Sequence, residues 1–181
     1  MLTKLSLNSF NYTVGHFVVP EEGLRSRDNF DLEAPYQRGA VWTEAQRVAL
    51  VKSLLLGLPI GSVVLNHRGF QAEKMYAVVD GKQRIEAIRA FFNSEFAVPA
   101  DWFSPEGVRE SFTDKDGTEK VYFNGLNKIP QHQFENSSFP ALEAHVENVA
   151  EEAEIFLLIN SGGTSQTDAD LNKAASVASG K

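Results

Sequence analysis

One segment constrains the fold more than any other, because it predicts a strand that passes almost directly into a helix. Residues 76–79 form a short apolar run, and the charged turn Asp80–Arg84 follows it. From residue 82 to residue 92, apolar side chains recur at helical spacing. A chain with this unit packs strands against helices, and Gly81 permits a close backbone approach at the junction.

The other predicted elements also mix helices with short strands. Residues 43–46 match a capping box, and the helix that they open has an apolar face and ends near Gly57 and Pro59. Runs at 62–66 and 75–79 predict two strands. We therefore predict an α+β fold. The remaining assignments are a short strand at 17–19, a hairpin at 110–123, a helix over 144–159, a short helix after Thr167, and irregular chain at 93–110 and 124–140.

Composition limits the classes of protein to which the chain can belong. Its 181 residues fit a single domain spanning 1–181, with a flexible tail expected from about residue 174. The absence of cysteine excludes disulfides, thiolate metal sites and a cysteine nucleophile. No signal peptide or membrane-spanning run is visible, so we expect a cytoplasmic protein without a membrane partner. The net charge of -7 argues against autonomous, non-specific binding to DNA.

The turn at Asp80–Arg84 is the strongest candidate for chemistry. The first amides of a helix lack internal partners and point outward with the positive end of the helix dipole, which suits a phosphate. Lys82 and Arg84 supply cations, and Arg84 can grip phosphate oxygens with two donors. Asp80 could hold Mg²⁺ or polarise a water. The alternative is that Asp80 only caps the helix while Lys82 and Arg84 are solvated.

Two further segments are weaker candidates when each is taken alone. Gln37 and Arg38 stand between two aromatic residues and could line a pocket, or Arg38 could simply cover an aromatic ring at the surface. The segment 160–164 could bind a ligand, although two glycines after a helix are usually a C-cap. Its candidate pocket residues are Asn160, Gly162, Gly163 and Thr164. The four histidines show no metal-ligand spacing, and the acidic face at 147–154 is interpreted as solvated surface.

Three segments together resemble a known family. They are residues 32–42, residues 53–60 leading into 78–84, and residues 159–164. Their order and spacing resemble the N-terminal domain of GmrSD-type modification-dependent restriction proteins, a domain that also occurs in SspE-like phage-defence proteins. This domain belongs to the ParB/sulfiredoxin superfamily. The similarity covers about residues 30–175.

The resemblance implies a small mixed sheet flanked by helices and a site for a nucleoside triphosphate, with ATP and GTP not distinguished. The family motif usually reads Asp-Gly-Gln-Gln-Arg, and Lys82 replaces its first glutamine here. By match, this motif would place Asp80, Gly81, Gln83 and Arg84 at the phosphates, and Gln37 and Arg38 would line the same pocket. The HNH-like nuclease domain of these restriction enzymes has no counterpart in the sequence, so restriction activity does not carry over.

The sequence is compatible with four functions. The first is binding and hydrolysis of a nucleoside triphosphate with Mg²⁺, in which Asp80 and Arg84 act catalytically. The second is a kinase acting on a hydroxyl of a modified DNA base or a small molecule, with Glu33 or Asp80 as general base. The third is a modified-DNA nuclease, and the fourth a non-catalytic interaction or inhibitor module. Expected partners are the nucleotide, modified DNA, or a separate nuclease or DNA-binding subunit.

Overall fold

A five-stranded mixed sheet organises the chain. The computed structural model describes residues 7–20, 29–36, 41–160 and 175–179. The sheet has the order β1-β8-β3-β4-β2, with β8 parallel to β3, β4 parallel to β2, and the other neighbours antiparallel. Strands β5, β7 and β6 form a small antiparallel sheet. The strands are β1 Asn8–Thr13, β2 Phe30–Asp31, β3 Val63–His67, β4 Tyr76–Asp80, β5 Val98–Pro99, β6 Phe112–Thr113, β7 Glu119–Val121 and β8 Ser138–Ala144.

Among the described residues before position 161, five α-helices cover the two faces of the large sheet unequally. Because side chains alternate along a strand, Val63 and Leu65 of β3 enter one core while Val64 enters the other. The larger core receives side chains from α1 to α4, and the smaller core receives them from α5. The helices are α1 Gly15–Val18, α2 Glu44–Leu55, α3 Lys82–Phe92, α4 Lys128–Glu135 and α5 Val149–Asn160. The predicted α+β class is confirmed.

The predicted start of α2 is confirmed in atomic detail. Thr43 accepts a hydrogen bond from the Gln46 amide at 3.4 Å, and the Gln46 side chain accepts one from the Thr43 amide at 2.9 Å. Gly57 follows the helix with a φ of 67°, as expected for a residue that ends a helix in the left-handed region. The two strands predicted at 62–66 and 75–79 and the helix predicted over 82–92 are also present.

Three predictions about secondary structure are wrong. Residues 17–19 were expected to be a strand, but Phe17 and Val18 belong to helix α1. The stretch 124–140 was expected to be irregular, yet it contains α4 and the start of β8. Pro130 lies in the first turn of α4, where its missing N–H has no helical partner to lose. The helix predicted over 144–159 begins only at Val149, because the chain up to Ala144 pairs with β1 and β3.

The C-terminal region is described only in part. The short helix predicted after Thr167 lies mostly outside the described residues, which resume with a helical turn at 175–178. Val177 and Ala178 pack against the smaller core. No helix in the described ranges is long and apolar enough to cross a membrane.

Candidate functional site

The turn between β4 and α3 depends on a glycine. Gly81 is the residue before the first turn of α3 and has a φ of 95°, in the left-handed region. A Cβ at this position would lie 2.4 Å from Cγ1 of Val63 on the neighbouring strand β3. Both the backbone angle and the contact therefore require glycine. As a result, Asp80 ends the strand and Lys82 opens the helix with one residue between them.

Arg84 is folded back under this turn. Its guanidinium donates to Oδ2 of Asp80 at 2.9 Å and to the Ile60 carbonyl at 3.1 Å. Its side chain is only 15% exposed. Burial lowers the pKa of Arg84, and the neighbouring Asp80 carboxylate opposes that shift. The reading in which Asp80 caps the helix and Arg84 is solvated is therefore wrong: Gly81 is the N-cap, and no side chain caps it.

Lys82 occupies a more open position at the start of α3. Its ammonium lies 3.4 Å from Glu33 Oε1 and 3.7 Å from Glu86 Oε1. The Glu33 side chain is 87% exposed, whereas that of Lys82 is 22% exposed. The structure thus brings Glu33, a candidate base, next to the predicted phosphate-binding turn. It also surrounds the two cations of the turn with three carboxylates.

Gln83 connects the turn to the segment before α2. Its side-chain oxygen accepts a hydrogen bond from the Trp42 amide at 3.0 Å. Gln37 and Arg38, which were predicted to line the same pocket, lie outside the described residues, although the chain is described on both sides of them. On one side is Tyr36, which is fully buried, and on the other is Trp42.

The glycine-containing segment after α5 is described only at its first residue. Asn160 is the last residue of α5, and its side chain donates to the Phe156 carbonyl of the same helix at 2.8 Å. Gly162, Gly163 and Thr164 lie outside the described residues. Helix α5 packs against β4, the strand that ends at Asp80.

A preformed metal site is not found among the residues that the structure describes. No group of three or more His, Cys, Asp or Glu side chains there could hold an ion. Asp80 is 30% exposed, and its Oδ2 is bonded to Arg84. A single carboxylate of this kind suffices for Mg²⁺ only where waters or phosphate oxygens supply the other ligands.

A buried polar network joins the sheet to α5, and the sequence did not indicate it. Glu152 is 1% exposed. It accepts hydrogen bonds from Arg68 at 2.7 Å, from Asn66 at 2.9 Å and from the Tyr36 hydroxyl at 3.2 Å. Arg68 also donates to Asp31 at 2.7 Å. The prediction that the acidic face at 147–154 is solvated surface is wrong for Glu152. Arg68, the residue directly after β3, neutralises this carboxylate inside the protein.

The contacts within this network shift the pKa values of Arg68 and Tyr36 in the directions that preserve its hydrogen bonds. The hydrogen bond to Glu152 raises the pKa of Arg68 more than burial lowers it. Burial, followed by the charge of Glu152, raises the pKa of the Tyr36 hydroxyl. Arg68 therefore stays charged and Tyr36 stays protonated across the physiological range.

A cavity of about 650 Å³ lies beside this network. Its walls come from the end of β3, the connection between β8 and α5, and the first turn of α5. The rings of His67 and His145 line it with their centroids 5.4 Å apart, and His67 Nδ1 accepts from the Gly69 amide at 3.2 Å. Because His67 pairs with Tyr76, the cavity lies at the opposite end of β4 from Asp80. The two histidines are far apart in sequence, so no spacing pattern could reveal their proximity.

Comparison with known proteins gives one result. A family model described as the N-terminal domain of the GmrSD restriction endonuclease matches residues 21–176. Searches of the curated proteins and of the solved structures returned no match. The family match spans all the elements that build the turn, from Glu33 through α3, and the whole of α5. The chain therefore belongs to the family of GmrSD restriction endonuclease N-terminal domains, which connects it with DNA restriction.

Proposed function

We propose that the Asp80–Arg84 turn binds the phosphates of a nucleoside triphosphate and that the chain hydrolyses this nucleotide. The observation that carries the proposal is the placement of two cations, Lys82 and Arg84, in the first turn of α3. They lie beside the first amides of the helix, and the turn that joins this helix to β4 can be made only by glycine. Family membership supports a role for this reaction in DNA restriction.

Arg84 is suited to contact a phosphate because its guanidinium is already held in place. Its bonds to Asp80 and Ile60 account for two of the five donors of a guanidinium, and they hold the group in one orientation. A pre-oriented cation loses little entropy when it binds and is positioned before charge develops on the transferring phosphoryl group. Gly81 lets the chain turn directly from β4 into α3, which brings Lys82 and Arg84 into the first turn of the helix.

Asp80 is the residue that would hold Mg²⁺ brought by the nucleotide. Arg84 bonds to its Oδ2, and none of the described residues donates to its Oδ1. When bound, Mg²⁺ neutralises charge on the phosphate oxygens and helps to orient them. The same phosphate contacts would serve transfer to a hydroxyl, with Glu33 or Asp80 accepting its proton, so the acceptor decides between hydrolysis and transfer.

Contact with DNA is proposed to require a partner subunit. The chain carries a net charge of -7, whereas proteins that bind the DNA backbone directly neutralise phosphates with clusters of Lys and Arg. A separate nuclease or DNA-binding subunit would then couple nucleotide turnover to modified DNA.

The test is calorimetric titration of each of the four common nucleoside triphosphates with and without Mg²⁺, combined with phosphate-release assays. We expect binding and turnover by the wild type, weaker binding by Lys82→Gln, and loss of turnover in Arg84→Lys, which keeps the charge but loses the fork. Lys115→Gln on the β6–β7 hairpin is the matched control and should bind normally. Absence of binding by a folded wild type overturns the proposal.

A further inference from the structure

The two cations of the proposed phosphate site differ in how firmly they are held. Arg84 is 15% exposed and bonded to a backbone carbonyl as well as to Asp80. Lys82 instead contacts two carboxylates at 3.4 and 3.7 Å, and the nearer one belongs to a side chain that is 87% exposed. Exposed ion pairs of this kind contribute little stability and exchange readily. Lys82 is therefore the cation of the turn that can exchange a carboxylate partner for another anion.

The backbone of Glu33 is held at the edge of the sheet while its side chain is free to move. Strand β2 runs parallel to β4 with Asp31 opposite Ala77, and the Glu33 amide donates to Asp31 Oδ1 at 2.9 Å. This arrangement keeps Glu33 beside the end of β4. Its carboxylate can leave Lys82 by rotation of the side chain alone, without movement of the sheet.

The charges around the turn favour that movement when an anion binds. Glu33, Asp80 and Glu86 carry three negative charges against the two positive charges of Lys82 and Arg84. A polyphosphate that approaches this arrangement meets a net negative cluster. When Glu33 swings into solvent, its charge is screened and the ammonium of Lys82 is released on its flexible stem.

On this basis we propose that Glu33 is an internal competitor for the nucleotide: it holds Lys82 in the ligand-free protein and is displaced by the phosphates. The inference rests on the proposed function, because it concerns how the same site admits its ligand. Glu33 would then lower the affinity for the nucleotide. It would do so through Lys82, the residue that replaces the first glutamine of the family motif.

The test is a double-mutant cycle on nucleotide affinity, measured by calorimetry at low salt with the nucleoside triphosphate that binds the wild type. Glu33→Gln should tighten binding by about two- to fivefold, the size of an exposed ion pair. In the Lys82→Gln background the same substitution should change affinity little, since the competed cation is absent. The gain from Glu33→Gln should shrink as salt is raised.

Control variants separate this effect from a general change in charge. Glu73→Gln removes an exposed carboxylate from the loop at the other end of β4 and should leave affinity unchanged. Weaker or unchanged binding by Glu33→Gln, or equal tightening with and without Lys82, overturns the inference while leaving the nucleotide site in place. Failure of the folded wild type to bind any nucleoside triphosphate overturns the proposed function and this inference with it.

Discussion

The candidate site requires glycine at position 81 for two reasons, and both concern the Cβ atom that any other residue would carry. The φ of 95° there strains any other residue, and a Cβ would lie 2.4 Å from the Val63 side chain. We expect Gly81→Ala to lower the free energy of unfolding by about 2–4 kcal/mol, from backbone strain together with overpacking. Urea denaturation followed by circular dichroism measures this.

Gly117→Ala is the matched control for that substitution. Gly117 has a φ of 80°, but a Cβ there would meet nothing within 4 Å. It should therefore lose only the strain component, about 1 kcal/mol. Equal losses at the two positions would show that Val63 does not constrain the turn, and that conclusion would contradict the packing described above.

Residue types in the sequence were enough to select the candidate turn but not to assign partners within it. Asp80, Lys82 and Arg84 stand out because they follow an apolar strand. The Ile60 carbonyl that holds Arg84 and the Glu33 carboxylate that holds Lys82 come from other loops. Such contacts depend on how β2 and β3 register against β4, and local patterns do not encode that register.

At the scale of whole elements, the Glu152 network decides how α5 is fixed to the sheet. Glu152 binds Arg68 at the end of β3 through two hydrogen bonds, and both bonds are lost or weakened if the carboxylate becomes an amide. We expect Glu152→Gln to cost about 2–3 kcal/mol of stability, because it leaves Arg68 partly buried without its main counter-charge. Thermal or urea unfolding checks the value.

Glu154→Gln on the same helix provides the comparison. Glu154 is exposed, and surface substitutions away from special contacts usually stay within about 0.5 kcal/mol. If both variants lose the same stability, helix propensity or net charge is responsible, and the ion pair between β3 and α5 does not matter.

The elements predicted correctly are those whose signals are local. The capping box of α2 and the β4–turn–α3 unit can be recognised from a few neighbouring residues. Strand β8 could not be recognised in this way, because its place is fixed by pairing with β1, more than a hundred residues earlier in the chain. The same strand pairing removed the first residues from the helix predicted over 144–159.

At the scale of the whole molecule, one buried and two half-buried tyrosines on the two faces of the sheet predict how the fold responds to alkali. The pKa values of Tyr12, Tyr36 and Tyr76 are all raised, in each case mainly by burial. Tyr12 donates to the buried Glu143 carboxylate, and Tyr36 donates to Glu152. Ionising either hydroxyl would place a second negative charge against a carboxylate inside the protein.

The sign of the pH effect follows from the direction of these shifts. The folded state keeps protons that the unfolded chain releases near pH 10, the ordinary tyrosine value. The contribution of these groups is therefore complete below about pH 10 and is lost as pH rises toward the higher folded-state values. For Tyr36, which is fully buried, the loss is about 1.4 kcal/mol per pH unit above that point.

We expect urea midpoints to fall steeply above about pH 10, and the tyrosinate absorbance of Tyr12, Tyr36 and Tyr76 to appear together with the loss of circular dichroism. Tyr36→Phe should have a lower stability at neutral pH, because the Glu152 hydrogen bond is lost, but a shallower decline in alkali. Titration of these hydroxyls near pH 10 in protein that stays folded would contradict the burial on which the argument depends. The comparison also separates the two cores, because Tyr36 lies against α5 in the smaller core, whereas Tyr12 and Tyr76 pack against the larger one.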